Sequence, residues 1–147
     1  MNNYNTTNNN NNTTNNMIVI NNYKKPDQSH FTEQDIFKII RMCNNSVPTL
    51  VEKTYFDKDK PENHSVYVKS LNTKYAYLHD GKRWMATIRE SLVEQLFDLG
   101  NMFLENKMYD LKDTSNVSQY NDAKKSFMRY LNNIENVDVL RQIKEKI

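Results

Sequence analysis

The first 22 residues constrain this chain most, because they are poorly suited to joining a packed core. They contain twelve of the chain's 23 asparagines, four threonines and no charged side chain. Such a composition buries too little apolar surface to offset the entropy of ordering. We therefore expect residues 1–22 to be a disordered leader, which leaves about 125 residues for a single domain.

Glycine, proline and cysteine are scarce, which excludes several classes of protein. Two glycines and three prolines disfavour a β-sandwich with many tight turns and any glycine-rich phosphate loop. The single cysteine, Cys43, excludes an internal disulfide framework and a cysteine-rich zinc module. The longest apolar run spans only residues 17–20, so we expect no membrane span, no signal peptide and an intracellular, reducing location.

Helical periodicity begins at Phe31. Thr32 is placed to cap a first helix, whose apolar positions recur at helical spacing and include Cys43, which we interpret as a small core residue. Ser46 is placed to cap a second, shorter helix, because Pro48 is tolerated in a first turn. The two segments predict a helix hairpin.

Three aromatic-rich segments follow the polar loop 57–64 and predict strands over residues 66–68, 74–78 and 83–85. Asp80 and Gly81 predict a type I′ turn, which needs positive φ at both central positions. The spacing favours an antiparallel meander.

The C-terminal part of the chain is helical in period. Thr87 and Glu90 match a capping box, so we expect a helix from Ile88, with Gly100 kinking or ending it and a polar break at 112–116. We expect an α+β fold with a helix hairpin, a three-stranded antiparallel meander and C-terminal helices packed on one sheet face. The module then spans 23–112, and a C-terminal helical segment packed on it spans 113–147.

Five basic residues and one acid, Asp80, lie between residues 66 and 89. This pattern favours a nucleic-acid-binding β-hairpin, which gains phosphate contacts by releasing counterions, with Tyr77 and Trp84 as stacking groups. An alternative remains open, since edge strands carry lysine to prevent sheet pairing and such aromatic residues often pack against a helix. The basic residues are Lys69, Lys74, Lys82, Arg83 and Arg89.

Two other functions are considered. An apolar stripe on the last helices must be covered, and a partner chain could cover part of it, which would make the protein an interaction or assembly component. A metal-dependent nuclease would use His64, with carboxylates from Glu90 or Glu94. However, no two of His30, His64 and His79 have metal-ligand spacing, so we expect no metal, no cofactor and no catalytic residue.

The segment from Tyr55 to Trp84 resembles a module of uncharacterised proteins from giant, mimivirus-like DNA viruses. The resemblance covers about residues 34–100 and depends on Pro-Glu-Asn-His followed by Gly-x-x-Trp. This chain has Asp57 and Ser65 where the family often has asparagine. The matching residues are Pro61, Glu62, Asn63, His64, Tyr67, Gly81 and Trp84.

The resemblance implies a structural signature, with no activity to transfer. Pro61 would stiffen the loop, Asn63 would close an Asx turn, and His64 and Trp84 would pin the loop to the meander. It also suggests a viral protein with a nucleic-acid setting, located in the host cytoplasm or the virion. With the residue patterns above, we favour a non-enzymatic binding module for DNA or RNA; the alternative is binding to a viral protein or to a second copy of itself.

Overall fold

The computed structural model describes residues 17–147, in which five α-helices and one antiparallel sheet of order β1-β2-β3 occur. Residues 1–16 of the predicted leader lie outside this range. The α+β class and the three-stranded meander are confirmed. The elements are α1 (Glu33–Arg41), α2 (Ser46–Tyr55), β1 (Val66–Tyr67), β2 (Tyr75–His79), β3 (Trp84–Ile88), α3 (Arg89–Thr114), α4 (Val117–Asn133) and α5 (Val137–Glu145).

Helix α1 begins as predicted. The Thr32 side chain accepts a hydrogen bond from the Asp35 backbone N–H (3.1 Å), and the Asp35 carboxylate accepts one from the Thr32 N–H (2.9 Å). This reciprocal box satisfies two amides that a helix start leaves free. Ile36, Ile39 and Ile40 are buried, so the apolar stripe faces the core.

The start of α2 differs from the prediction, because Ser46 is the first residue of the helix and does not cap it. A short 3-10 helix, Cys43–Asn45, joins α1 to α2, and Cys43 has a φ of 53°. The buried Ser46 hydroxyl donates to the Cys43 carbonyl oxygen and holds this bend. Cys43 packs beside the core, as expected.

The hairpin between β2 and β3 is present, but its turn is not type I′. Gly81 has a φ of +95°, whereas Asp80 has no positive φ. The backbone N–H of Asp80 donates to the Arg83 carbonyl (3.2 Å), so Gly81 and Lys82 are the central residues. The Asp80 carboxylate instead accepts bonds from the backbone N–H groups of Lys82 and Arg83.

Helix α3 begins at Arg89, and the predicted capping box is wrong. Thr87 lies in β3 opposite Ala76, and Ile88 precedes the helix without a side-chain cap. Because Thr87 is paired within the sheet, it does not cap the helix. Gly100 does not end α3, which continues to Thr114. A Cβ on Gly100 would lie 2.8 Å from Cγ1 of Val47 in α2.

The C-terminal helices α4 and α5 pack mainly on other helices. Helix α4 contacts α1 and α3, and α5 contacts α2 and α3, whereas α3 is the helix that contacts β2 and β3. The expectation that the C-terminal helices pack on a sheet face is therefore wrong except for α3. Helix α3 also crosses the predicted boundary at 112/113.

The end of the predicted leader is bonded to the domain. The Asn21 backbone N–H donates to the Glu62 carbonyl (2.8 Å), and the Tyr23 N–H donates to the His79 carbonyl (2.9 Å). Tyr23 is buried, and its carbonyl accepts a hydrogen bond from the Tyr55 hydroxyl (2.5 Å). Met17, Ile18 and Val19 are exposed. The ordered contacts thus begin before residue 23.

Candidate nucleic-acid interface

The sheet has one buried face and one solvent-facing face. Val66, Ala76 and Leu78 are buried on the same face, and α3 contacts β2 and β3. Because side chains alternate along a strand, the neighbouring residues face the other way. We call this solvent-facing side the outer face; it carries Tyr67, Tyr75, Tyr77, His79, Trp84, Ala86 and Ile88.

Aromatic rings are in contact across the outer face. Tyr67 stacks on Tyr77, with ring centroids 4.9 Å apart and planes 14° apart. The Trp84 ring meets Tyr67 and His79 edge to face, each at 5.1 Å. Tyr67 and Trp84 remain 37% and 42% exposed. The alternative that these rings pack against a helix is therefore wrong, since α3 covers the opposite face.

Two of the predicted basic residues lie over these rings. The Nζ atom of Lys69 is 5.2 Å from the Tyr77 ring centroid, and that of Lys74 is 5.4 Å from the Tyr75 centroid. Both lysines are exposed. Within residues 17–147 neither forms an ion pair with a carboxylate. The outer face thus combines aromatic surface with positive charge that has no acidic partner.

Lys82 and Arg83 are exposed at the turn of the hairpin. The acid between the strands, Asp80, accepts hydrogen bonds from the backbone N–H groups of Arg83 (2.9 Å) and Lys82 (2.8 Å). These bonds lower the pKa of Asp80 below its usual value, because they favour the ionised form. Two cationic side chains and one carboxylate therefore sit at the turn.

Arg89 is half-buried and has an internal partner, unlike the other four basic residues. Its Nη1 donates to the Leu71 carbonyl (2.9 Å), and its backbone N–H donates to the Lys74 carbonyl (2.7 Å). Arg89 thus ties the loop between β1 and β2 to the start of α3. Its guanidinium is less free to bind phosphate than the sequence suggested.

Asn63 is fully buried and holds the N-terminal segment. Its side-chain amide donates to the Asp27 carbonyl (2.7 Å), and its oxygen accepts bonds from the Asp27 N–H (2.8 Å) and the Asn21 amide (3.0 Å). The predicted Asx turn is therefore wrong, because the Asn63 side chain bonds to a distant segment. Pro61 starts a 3-10 helix, Pro61–Asn63, which positions this asparagine.

His64 contacts the backbone of its own loop: its Nε2 lies 2.7 Å from the Asp57 carbonyl oxygen. This contact joins the two ends of the loop 57–64 and does not itself pin the loop to the meander. The ring contacts of Trp84 are with Tyr67 and His79, so the expected pinning of the loop by Trp84 is wrong. Among residues 17–147 no three histidine, cysteine or acidic side chains are grouped as metal ligands.

Tyr75 and His79 also belong to the outer face, although they were not among the predicted binding residues. Their alternation with Ala76 and Leu78 was visible in the sequence, and it places both on the face of Tyr77. Which face α3 covers was not visible, because that depends on packing between distant segments.

Comparison of the chain with protein-family models, curated proteins and solved structures finds no match. No helix within residues 17–147 is long and apolar enough to cross a membrane.

Proposed function

We propose that this protein binds nucleic acid through the outer face of its sheet. The observation that carries the proposal is the aromatic cluster of Tyr67, Tyr77 and Trp84, in which Tyr67 and Trp84 are exposed and Lys69 lies over Tyr77. Ring faces of nucleobases stack on such side chains regardless of base identity, and lysines bind the phosphates while releasing counterions. DNA and RNA both offer this chemistry.

The interaction hypothesis has less support from the fold. Phe127 and Ile143, on the C-terminal stripe, are 8% and 1% exposed because α1, α2 and α3 cover them. The other stripe residues, Leu131, Ile134 and Leu140, are partly buried against the same core, so the chain itself covers most of the stripe. The viral setting suggested by the resemblance stays a prediction, and a nucleic-acid partner is compatible with it.

The proposal is tested with the full chain and labelled oligonucleotides. Trp84 is the only tryptophan of the chain, so its fluorescence reports on the outer face directly. We expect quenching on addition of oligonucleotide and an affinity whose logarithm falls linearly with the logarithm of salt concentration. Absence of binding at low salt would overturn the proposal, and light scattering would then test whether a second copy covers this face.

Variants locate the binding surface by fluorescence anisotropy. Trp84→Ala should weaken binding by about 5- to 150-fold, the equivalent of one lost stacking contact. The matched control is Tyr109→Ala, an exposed aromatic residue on α3 that should leave the affinity unchanged. For charge, Lys69→Ala with Lys74→Ala should reduce the salt dependence, whereas Lys124→Ala with Lys125→Ala on α4 should not. An intact probe after incubation with Mg²⁺ would argue against a nuclease.

A further inference from the structure

A small residue occupies the centre of the outer face. Ala86 lies opposite Tyr77, and the side chains two residues away on the same strand, Trp84 and Ile88, are 42% and 52% exposed. Over this stretch the strand rises by about 13 Å, and the Ala86 side chain ends at Cβ. The register therefore leaves a shallow recess between an indole ring and an isoleucine, with the Tyr77 ring beside it.

The recess has the chemistry of a seat for one planar base. Its surroundings are aromatic or apolar, and Lys69 and Lys74 lie over the neighbouring rings Tyr77 and Tyr75. In a duplex both faces of each base are covered by the adjacent base pairs, so only an unpaired base can lie flat against this surface.

Lys25, a basic residue absent from the sequence prediction, lies near Lys82 and Arg83 at the hairpin end of the sheet. The Tyr23 N–H bonds to the His79 carbonyl, and a Cβ on Gly81 would lie 3.4 Å from Asn22, so the N-terminal segment runs against the hairpin. A turn follows, with the Lys25 N–H donating to the Asn22 carbonyl (2.8 Å). Three exposed cations therefore lie at this end of the sheet: Lys25, Lys82 and Arg83. The Nζ atom of Lys24 instead lies 5.7 Å from the Tyr23 ring centroid, on the side of α2 and α3.

Resting on the proposed function, we infer that the ligand is single-stranded nucleic acid, with one base seated over Ala86 and its phosphates continuing to the three cations at the hairpin end. The charge balance favours this occupant over a second copy of the chain, since like-charged copies would repel at this surface. Asp80 is the acid of the hairpin, and its carboxylate is engaged by backbone N–H groups.

The test compares a single strand with its own duplex, using the full chain and variants of the seat. We expect the single strand to bind more tightly than the duplex and to quench Trp84. Ala86→Leu fills the recess and should weaken single-strand binding by about 5- to 150-fold, whereas Ala86→Ser should bind like the original chain. Circular dichroism and urea unfolding show whether both variants are folded.

The hairpin-end cations are tested separately through salt dependence. Replacing Lys25 and Lys82 by alanine should reduce the slope of log affinity against log salt by about 1.4, because each single-strand phosphate contact contributes about 0.7. Lys124→Ala with Lys125→Ala is the matched control. If duplex binds as tightly as single strand and Ala86→Leu has no effect, the inference is overturned while the proposed function stands. If no nucleic acid binds, both fail.

Discussion

At the scale of single residues, Asn63 connects the N-terminal segment to the rest of the domain. Both polar groups of its side chain pair with the backbone of Asp27, and the site is buried. In Asn63→Ala these Asp27 groups lose their partner, so we expect the free energy of unfolding to fall by about 1–3 kcal/mol. Urea unfolding measures this, with the exposed Asn72→Ala as control. Equal stability of the two variants would contradict the assignment.

Gly100 is the second residue whose effect depends on the tertiary structure. In an isolated helix Gly100→Ala would stabilise by about 1 kcal/mol. Here the new Cβ would lie 2.8 Å from Cγ1 of Val47, which is fully buried, so we expect net destabilisation of up to about 2 kcal/mol. Thermal unfolding shows whether Gly100→Ala lowers or raises the stability of the protein.

A second variant isolates the cause of the Gly100 effect. Val47→Ala removes the methyl group that meets the new Cβ. Adding Gly100→Ala to Val47→Ala should therefore be neutral or stabilising. Destabilisation in both backgrounds would show that the contact with Val47 is not responsible.

At the scale of elements, three carboxylates hold turns and a helix start. Hydrogen bonds from Ser29 lower the pKa of Asp27, those from Thr32 lower the pKa of Asp35, and those from the hairpin backbone lower the pKa of Asp80. Each carboxylate is a better acceptor when ionised, so the folded state favours the ionised form.

The direction of these shifts predicts a loss of stability in acid. A carboxylate whose pKa in the folded state lies below the unfolded value of 3.8 stabilises the fold at pH values above 3.8. This contribution to the free energy of unfolding is lost as the pH falls through the folded-state pKa. We therefore expect the melting temperature to decrease when the pH is lowered below about 4. Asp80→Asn should show a smaller acid-induced fall than the original chain; an identical fall would contradict a contribution from this carboxylate.

At the scale of the whole molecule, the helices pack on one side of the sheet and leave the other side free. Helix α3 joins the two parts, because it contacts β2 and β3 on one side and α2, α4 and α5 on the other. The N-terminal segment packs against α3: Tyr23 is buried, and its hydroxyl donates a hydrogen bond to the Gln95 side chain (2.5 Å). The outer face is therefore available to a ligand without rearrangement of the helices.

The contacts of the N-terminal segment predict where the stable domain begins. A chain that starts at Tyr23 loses the Asn21 bonds to Glu62 and Asn63 and the Asn22 contact with Gly81. We expect the free energy of unfolding of this chain to be about 1–3 kcal/mol lower than that of a chain that starts at Met17. Urea unfolding of the two chains measures the difference, and equal midpoints would place the boundary after residue 22.

The local elements were largely predictable from local patterns. Thr32 and Asp35 start α1 through contacts three residues apart, and the alternation of Tyr75, Ala76 and Tyr77 defines a strand. The failures involve competition between local and distant partners. Thr87 could cap a helix locally, but pairing with Ala76 extends the strand instead.

The sequence by itself determined the α+β class, the approximate positions of most elements and the basic, aromatic character of the hairpin, because each depends on residue type and short-range spacing. Only the tertiary structure decided that α3 covers one face and leaves Trp84 exposed on the other, and that Lys25 lies near the hairpin end. Those placements depend on contacts between residues far apart in the chain, and no local pattern specifies which distant surface a segment will bury.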